Sequence, residues 1–457
     1  MSGNMNPPRG PRRALLHGPS REAFARLAWH AHPAHPGPEL AFLQQSQWWP
    51  AERIAALQAR QLRGLVASAS RVPFYRARFR AAGVGPDDIR TLADLARLPI
   101  LERSDLERLG VAGIRVPGSW GMRATSSGSL GTRVEFLWPL SQMRWLDAGE
   151  ERARGWMGSR VGTWRLEIRC RPVGLPQRIS AALLNATAIH APAMADARVA
   201  EQVLRALEAR QPTLVWGVSN ALYVVAVALL DQGRAAPTPA CWSGGNLLLP
   251  HYRRALEQAF QCRVYERYAT METGLVAHEC PEGGALHVPA EGLIAEIVRP
   301  DGSPAASGEP GDVLLTTLRN HATPLIRYRV GDRAIPPPRT QCPCGRGLPV
   351  FGAVSGRARD VLRTPSGALV GPRQVADALQ PLMARVIDFQ VIQDARGGLR
   401  ALVIQHDTPR AEADRAAIAA ILSDLVQPPE PPRVERVAQI ALTPGGKLRT
   451  IIGHAGP

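Results

Sequence analysis

The sequence predicts an α/β protein with a large layered N-terminal domain and a small α+β C-terminal domain. A chain of 457 residues is too long for one hydrophobic core and long enough for two or three domains. Between about residues 110 and 355, short β-rich runs alternate with amphipathic helices, the pattern of a layered α/β domain. After Gly356 the pattern changes to strands and one helix, in a unit of about one hundred residues. We therefore divide the chain into residues 1–38, 39–355 and 356–457.

The N-terminal segment 1–38 is rich in Pro, Gly, His and Arg and has little apolar periodicity. This composition predicts a mobile or loosely docked basic arm. A helix is expected after Trp48, ending before Pro73, because apolar residues recur there at helical spacing. These residues are Ile54, Leu57, Leu62 and Leu65.

Individual elements are predicted in both domains from apolar runs and their breakers. In the N-terminal domain these are a strand at Thr213–Trp216, a buried helix at Ala221–Leu230, a helix at Tyr252–Phe260 and a strand at Arg263–Tyr268. In the C-terminal domain they are a strand at Val386–Gln393, a turn at Gly397–Gly398, a strand at Leu399–Gln405, a helix at Ala411–Val426 and a strand at Val434–Ile440.

Composition excludes several classes of protein. The net charge of +16 is spread along the chain rather than gathered into basic runs with aromatics, so no nucleic-acid partner is expected. The longest apolar run, Ala221–Leu230, is far shorter than the roughly 20 residues of a membrane span. No signal-peptide pattern opens the chain, and six cysteines do not read as a disulfide scaffold. A cytoplasmic location is expected.

Lys447 is the only lysine in the sequence; every other one of the 55 long cations is arginine. A compact, rotatable ammonium can do what a planar guanidinium cannot, so Lys447 is a catalytic candidate. The alternative is chance, since a single residue must fall somewhere.

Three segments carry residues suited to nucleotide chemistry. The loop Ala124–Arg133 combines glycines with hydroxyls, which can direct several N–H groups at one phosphate. The run Tyr265–Gly274 ends a strand with an aromatic ring and an acid, a surface for a base and a ligand for Mg²⁺. The run Pro324–Asp332 places an acid where it can accept from ribose hydroxyls. Taken singly, each also fits a surface turn or a capped sheet edge.

The order of these segments, followed by Gly356-Arg357 and a late Gly446-Lys447, resembles the adenylate-forming superfamily. Within that superfamily the sequence is most similar to the phenylacetate-CoA ligase family, including its capsule-biosynthesis-like branch. The segments Val72–Arg76 and Leu98–Leu101 also resemble the N-terminal region of that family. The resemblance covers about residues 45–457 and implies the adenylate-forming fold, with a mobile C-terminal domain as a lid.

The resemblance implies a role for each matching residue. Catalytic roles fall on Lys447, Glu272 and Arg357, with Glu272 also holding Mg²⁺. ATP-binding roles fall on Ser126, Ser127, Gly128, Ser129, Gly131, Gly244, Gly245, Tyr268 and Asp332. The substrate pocket would include Trp242, Ser243, Ala269, Thr270 and Met271, and the hinge would lie at Arg359 and Asp360.

Several positions depart from the pattern of the family. The loop has Thr132 and Arg133 where Lys-Pro is usual, so a loop lysine is missing. Ala269 replaces a glycine and Met271 replaces a hydroxyl residue, which removes a donor. Arg359 stands where the hinge aspartate is usual, with Asp360 next to it. These changes affect the expected rate, the substrate and the second half-reaction.

A separate group of residues has the chemistry of a metal site. Three sulfurs and one imidazole, Cys280, His287, Cys342 and Cys344, suit tetrahedral structural zinc. The Cys-x-Cys spacing is tighter than usual, and a set of buried or turn thiols is the alternative. Some members of the resembled family carry such a site here. The other cysteines are expected in the core.

The resemblance implies an ATP- and Mg²⁺-dependent ligase that adenylates a carboxylic acid, aromatic by expectation, and transfers the acyl group to CoA. Two alternatives remain open at this point. The acceptor could be an acyl carrier protein or an amine, or the altered motifs could mark a non-catalytic nucleotide-binding protein. A homodimer is also left open.

Overall fold

The computed structural model describes residues 19–31, 35–126, 133–191 and 197–453. Twelve α-helices lie in these ranges. They are α1 (Pro19–Ala31), α2 (Gly37–Ser46), α3 (Ala51–Ala69), α4 (Pro73–Ala81), α5 (Arg103–Ile114), α6 (Leu140–Trp156), α7 (Leu175–Leu183), α8 (Ala197–Ala209), α9 (Ser219–Leu230), α10 (Pro250–Phe260), α11 (Pro372–Ala378) and α12 (Ala411–Val426).

The same ranges contain twenty β-strands. They are β1 (Met122–Thr125), β2 (Glu135–Trp138), β3 (Arg165–Arg169), β4 (Ala186–His190), β5 (Leu214–Val218), β6 (Cys241–Gly244), β7 (Val264–Thr270), β8 (Gly274–Glu279), β9 (Leu286–His287), β10 (Leu293–Val298), β11 (Gly311–Thr317), β12 (Tyr328–Ile335), β13 (Val350–Phe351), β14 (Ala353–Arg357), β15 (Leu362–Arg363), β16 (Leu369–Val370), β17 (Val386–Gln393), β18 (Leu399–Gln405), β19 (Arg433–Arg436) and β20 (Ile451–Ile452).

An eight-stranded sheet forms the centre of the large unit, in the order β13-β9-β8-β7-β6-β5-β3-β4. The strands from β4 to β7 are parallel, and those from β7 to β13 are antiparallel. The apolar helix α9 is buried along almost its whole length, in a core cluster that also includes residues of α8 and α10. Because the parallel strands run the same way, their carboxyl ends meet at one edge, where ligands bind in open α/β sheets.

A second sheet, β10-β11-β12-β14, is antiparallel throughout. Its register shifts where β11 meets β12, because Asp312 pairs with Arg333 whereas Leu314 pairs with Arg329. The shift leaves Asp332 on a bulge, next to Gly331 with φ +79°. A bulge changes the direction in which a side chain leaves its strand, and bulges are frequent next to active sites.

The C-terminal unit contains a small sheet in the order β19-β18-β17-β20, with α11 and α12 beside it. Strands β17 and β18 form an antiparallel hairpin through the Gly397 turn, and β20 and β19 add parallel strands at its two edges. The hydrophobic cluster of α8, α9 and α10 continues into this unit through Val375, Met383 and Phe389.

Most predicted elements are confirmed. The bounds of β17, β18 and α12 agree with the sequence analysis, and β5, α9, α10 and β7 agree within two residues. The strand expected at Val434–Ile440 is wrong in its second half, because β19 pairs with β18 only from Arg433 to Arg436. Asp332 lies within β12, on the bulge.

The segment boundaries differ in detail from the expected ones. Within 1–38, residues 19–31 form α1, whose Glu22 carboxylate lies 3.5 Å from the Arg210 guanidinium, and α2 already begins at Gly37. Gly356 and Arg357, which we assigned to the C-terminal domain, belong to β14 of the second sheet. Residues 1–18 lie outside the described chain. Movement of the C-terminal unit stays a prediction.

A buried ion pair joins α6 to the loop before β10. The Arg152 guanidinium lies 2.6 Å from the Glu291 carboxylate, with both side chains at most 1% exposed. Arg152 also donates to the Leu43 carbonyl, and Ser46 donates to Glu291 at 2.6 Å, so α2 is tied to the same pair.

We predict that Glu291→Ala lowers the free energy of unfolding by about 3–5 kcal/mol, because it leaves the buried Arg152 charge uncompensated. Urea unfolding followed by circular dichroism measures the change. Glu435→Ala is the control: it breaks the exposed Arg400–Glu435 pair and should lower the free energy of unfolding far less. Equal losses in the two variants would contradict the prediction.

Candidate active site

Lys447 lies in a tight turn that is held by its own backbone. Thr443 N–H donates to the Lys447 carbonyl at 2.9 Å, and Gly446 N–H donates to the Thr443 carbonyl at 2.8 Å. The Lys447 N–H also donates to Thr443 Oγ1 at 3.2 Å. These bonds fix the backbone position from which the Lys447 side chain extends.

This turn docks on the large unit at the carboxyl edge of the parallel strands. Asn220 Nδ2, just after β5, donates to the Gly446 carbonyl at 3.1 Å. Asn246 Nδ2, just after β6, donates to the Leu448 carbonyl at 3.2 Å. Cys170, the residue after β3, directs its thiol at the Gly445 carbonyl at 3.4 Å. The C-terminal unit therefore places Lys447 over the ends of three adjacent strands.

Gly446 makes the closest backbone contact at this docking site. Its φ of +75° is unfavourable for a side chain, and an added Cβ would lie 2.5 Å from the carbonyl oxygen of Cys170. Only glycine fits this approach.

Asp332 is the acidic centre of the site. Tyr268 Oη donates to Asp332 Oδ2 at 2.8 Å, and Arg357 Nε lies 2.9 Å from Asp332 Oδ1. Asp332 and Tyr268 are buried, whereas Arg357 is half exposed. Burial, followed by the Asp332 charge, raises the pKa of Tyr268 well above its usual value, so its hydroxyl stays a donor. The ring of Tyr268 stacks on Phe351, with centroids 5.6 Å apart.

Lys447 and Glu272 lie in the electrostatic field of this centre. Burial and the Arg357 charge lower the pKa of Lys447, and Asp332 opposes that shift. Burial raises the pKa of Glu272, while Arg357 and Arg103 oppose the rise. A bound anion near Lys447 and a bound cation near Glu272 would each relieve an unfavourable charge, which fits a nucleotide with its metal ion.

Glu272 stands on the turn between β7 and β8. The register pairs Thr270 with Gly274, and Thr270 Oγ1 lies 3.0 Å from Thr273 Oγ1. Glu272 is buried although it lies in a turn, whereas Met271 is 47% exposed. Ala269 and Thr270 are half-buried.

The other predicted pocket residues lie on or next to β6. Trp242 is buried in a packed cluster with Ala153, Met157 and Tyr265, so packing accounts for its position. Ser243 is also buried and donates to Ser219 Oγ at 2.9 Å. An added Cβ at Gly244 would lie 2.7 Å from the Arg267 carbonyl oxygen, and Gly245 has φ +75°.

The expected phosphate loop is described only at its ends. Ser126 is buried; its N–H donates to the Val134 carbonyl at 2.8 Å, and its hydroxyl accepts from Val134 N–H at 3.1 Å. These bonds close the base of the loop. The assignments to Ser127, Gly128, Ser129 and Gly131 lie outside the described residues.

The expected hinge residues connect to the lysine turn. Arg449 pairs with Asp360 at 2.5 Å, and Arg359 Nε lies 3.9 Å from the same carboxylate oxygen. Asp360 therefore pairs with Arg449, which lies two residues after Lys447, whereas Arg359 makes only a longer contact with Asp360.

Sequence reasoning missed Asn220 and Asn246. The signal available was their position, one or two residues after a buried strand, where side chains reach the carboxyl edge of a parallel sheet. Sequence could not show that their partners are backbone carbonyls more than two hundred residues away.

The four predicted metal ligands come together. The ligand atoms of Cys280, His287, Cys342 and Cys344 all lie within 4.8 Å of one another. Cys280 Sγ is 3.5 Å from Cys342 Sγ, and Cys344 Sγ is 3.4 Å from His287 Nε2. His287 Nδ1 faces the Leu348 carbonyl at 3.1 Å, the arrangement that orients a metal-binding imidazole.

The thiols of Cys280 and Cys342 are shifted in opposite directions. Burial raises the pKa of the Cys280 thiol, but hydrogen bonds from His287, Gly283 and Cys342 outweigh it and lower the pKa to about 6, whereas burial raises the pKa of the Cys342 thiol to about 12. A thiolate is the form that binds metals. The donor set and its geometry therefore fit zinc.

No protein-family model matches the chain. The phenylacetate-coenzyme A ligase of Thermus thermophilus is 27% identical over 364 residues, which are 77% of this chain and 80% of that protein. The Escherichia coli phenylacetate-coenzyme A ligase is 27% identical over 369 residues, 78% of this chain and 82% of that protein.

The fold is that of the adenylate-forming CoA ligases. A 2-hydroxyisobutyryl-CoA ligase in its postadenylation state superposes with a TM-score of 0.74 at 17% identity, covering 90% of this chain and 92% of that one. In its thioesterification state the same enzyme reaches 0.59 at 19% identity, covering 90% and 91%.

This chain is a distant homologue of the phenylacetate-CoA ligases over most of its length. Within the described residues, no helix is long and apolar enough to cross a membrane.

We predict that Gly446→Ala undocks the lysine turn. The left-handed backbone costs about 1–2 kcal/mol for a non-glycine residue, and the clash with Cys170 adds to this. Amide hydrogen exchange of residues 443–448 should accelerate at least about tenfold. In the control Gly445→Ala, the added Cβ meets the end of the Arg171 side chain at 3.3 Å and Thr443 Oγ1 at an ordinary contact distance of 3.6 Å, and exchange should change little. Equal exchange in both variants would contradict the docking contact.

Proposed function

We propose that the protein is an AMP-forming carboxylate–CoA ligase. In the first half-reaction a carboxylate oxygen attacks the α-phosphorus of ATP, forming acyl-AMP and releasing pyrophosphate. In the second, the thiol of CoA attacks the acyl carbon and AMP leaves. The observation that carries the proposal is the docking of Lys447 over the carboxyl edge of β3, β5 and β6, in the field of Arg357 and Asp332.

Lys447 would bridge the carboxylate and the α-phosphate as the acyl-adenylate forms. Bringing two anions together is opposed mainly by charge, so positioning and neutralisation are the largest catalytic terms. Burial holds the pKa of Lys447 below its usual value, and bound anions would raise it again and keep the ammonium charged. A lysine suits this role because its ammonium is a compact charge whose three donors can rotate toward both anions.

Asp332 and Tyr268 would hold the nucleoside. Tyr268 donates to one oxygen of Asp332 and Arg357 forms an ion pair with the other, which leaves acceptor capacity for ribose hydroxyls. Arg357 supplies a positive charge beside that carboxylate. The adenine would lie along Tyr268, and the triphosphate would run toward the loop that Ser126 closes.

Glu272 is the residue suited to Mg²⁺. The carboxylate is buried beside the site and its pKa is raised by burial, so a divalent cation would stabilise its charged form. When bound, Mg²⁺ supplies charge neutralisation at the phosphates.

An aromatic acid is the proposed substrate class, because the related proteins are phenylacetate-CoA ligases. CoA is the proposed acceptor on the same ground. For the Cys280–His287–Cys342–Cys344 cluster we propose structural zinc, which would tie the β8–β9 region to the segment before β13.

Acid-dependent ATP–pyrophosphate exchange over a panel of aryl and alkyl carboxylates tests the proposal. Wild type should exchange, and Lys447→Arg should lose about 10²- to 10³-fold, because a guanidinium cannot take the place of the ammonium. Arg433→Lys, a surface change in the same unit, should keep wild-type exchange. A folded, ATP-binding wild type that exchanges with no acid would refute the ligase proposal.

The pH profile of exchange should report the Lys447 ammonium. Its pKa is lowered in the ligand-free protein, so at subsaturating ATP the charged form and the exchange rate should be lost, as pH rises, at a lower pH than for an ordinary lysine. Arg357→Gln removes a cation that lowers this pKa, so the alkaline decline should move to higher pH even though the rate falls. Arg433→Gln is the control that leaves the decline in place. An unmoved decline in Arg357→Gln would exclude Lys447 as the titrating group.

Metal analysis tests the zinc proposal. Purified protein should contain about one zinc per chain, and Cys344→Ser should lose it and unfold at lower temperature. Cys262→Ser, outside the cluster, should retain the metal. Equal zinc content in the two variants would rule out the cluster as the site.

A further inference from the structure

A second docking point joins the C-terminal unit to α9 and α10, away from the lysine turn. Strand β17 carries an irregularity at Ile387, where its register with β18 shifts between Val386 and Asp388. Tyr223 of α9 donates its hydroxyl to the Ile387 carbonyl. Tyr252 of α10 donates to Asp388 Oδ2 at 2.7 Å. Two tyrosines of the large unit thus hold two consecutive residues of the small one.

The two tyrosine rings form one buried stack. Their centroids lie 4.1 Å apart at an interplanar angle of 20°, and both residues are buried. The edge of the His251 ring meets both tyrosines, and its Nε2 lies 4.0 Å from Asp388 Oδ1. Burial and the Asp388 charge raise the pKa of both hydroxyls well above their usual value, so both remain donors.

Asp388 is oriented from its own strand as well. Its Oδ1 accepts from the Phe389 N–H at 2.8 Å, which leaves Oδ2 directed at Tyr252. A bulge that presents a carbonyl and an adjacent carboxylate in one direction is a specific acceptor surface, whereas the apolar contacts around it carry little directional preference.

The helices that hold this stack also hold the lysine turn. Asn220, in the first turn of α9, binds the Gly446 carbonyl, and Tyr223 follows it by one helical turn. Asn246 precedes α10 and binds the Leu448 carbonyl, and Tyr252 lies in the first turn of α10. The C-terminal unit is therefore held at two points along the same pair of helices. Two points fix both its distance from the large unit and its rotation relative to that unit.

We propose that Tyr223, Tyr252 and Asp388 form a clamp that positions the C-terminal unit for adenylation and releases it for thiol transfer. This inference rests on the proposed function and on the hinge expected at Arg359 and Asp360, about which the unit would pivot between the half-reactions. The clamp suits a reversible contact, because separated hydroxyls and carboxylate regain hydrogen bonds from water. The three residues are positioning residues: they act on the reaction through Lys447.

The test is the double variant Tyr223→Phe/Tyr252→Phe, which keeps both rings and removes both donors. Adenylation is measured by pyrophosphate exchange, and transfer by mixing purified acyl-adenylate with CoA. We expect adenylation to fall about tenfold and transfer to stay equal or become faster. Asp388→Asn keeps an acceptor for Tyr252 and should retain adenylation, whereas Asp388→Leu should lose it.

Tyr75→Phe is the matched control. Tyr75 is also buried and also donates to a backbone carbonyl, that of Pro324, but both residues belong to the large unit. This variant should change both half-reactions by the same factor. If the double variant also changes both by one factor, or neither, the clamp has no role in positioning and the inference is overturned.

A second readout separates this inference from the proposed function. Trypsin cleavage after Arg359, identified by mass spectrometry, reports whether the linker beside the docked unit opens. Faster cleavage in the double variant than in Tyr75→Phe supports the clamp, and equal cleavage overturns it. This readout does not depend on activity, so it applies even if no acid is adenylated or transferred. Absence of both half-reactions in wild type refutes the proposed function alone.

Discussion

The contact on which the site depends is the approach of Gly446 to the carbonyl oxygen of Cys170. It brings a turn near the C-terminus within van der Waals distance of the carboxyl end of β3, and it tolerates no side chain. The asparagines after β5 and β6 bind the same turn through its carbonyls. Because these partners sit at the ends of adjacent parallel strands, one rigid sheet edge determines where Lys447 lies.

Charge gives this location its chemical character. Asp332 is shared between Tyr268 and Arg357, so one buried carboxylate organises an aromatic ring and a cation. Lys447 is disfavoured as a cation by burial and by Arg357, while Glu272 is disfavoured as an anion by burial. The site is therefore unbalanced without ligands. An anionic substrate accompanied by a divalent cation would supply both missing charges.

The Cys280–His287–Cys342–Cys344 cluster joins two segments that flank residues of this site in the sequence. Cys280 follows β8, the strand after the Glu272 turn, and Cys342 and Cys344 precede β13 and β14, which lead to Arg357. The cluster thereby connects the chain on either side of Asp332. On the other side of the site, the tyrosine stack and the lysine turn tie the C-terminal unit to α9 and α10. Both connections act on residues that reach the candidate site from different segments.

The sequence by itself determined the local elements and the residue types of the site. Apolar runs and their breakers predicted β17, β18 and α12 to their observed ends. The lone Lys447 indicated a catalytic cation, and the Cys and His residues indicated a metal-type cluster. Both could be predicted because residue composition and donor chemistry can be read without knowing which residues pack together. The tertiary structure decided the rest. Asp332 lies on a bulge because β11 and β12 shift register, Trp242 lies in a packed cluster beneath α6, and β19 ends where β18 stops pairing with it. Register, packing and docking depend on partners distant in sequence, so no local pattern encodes them.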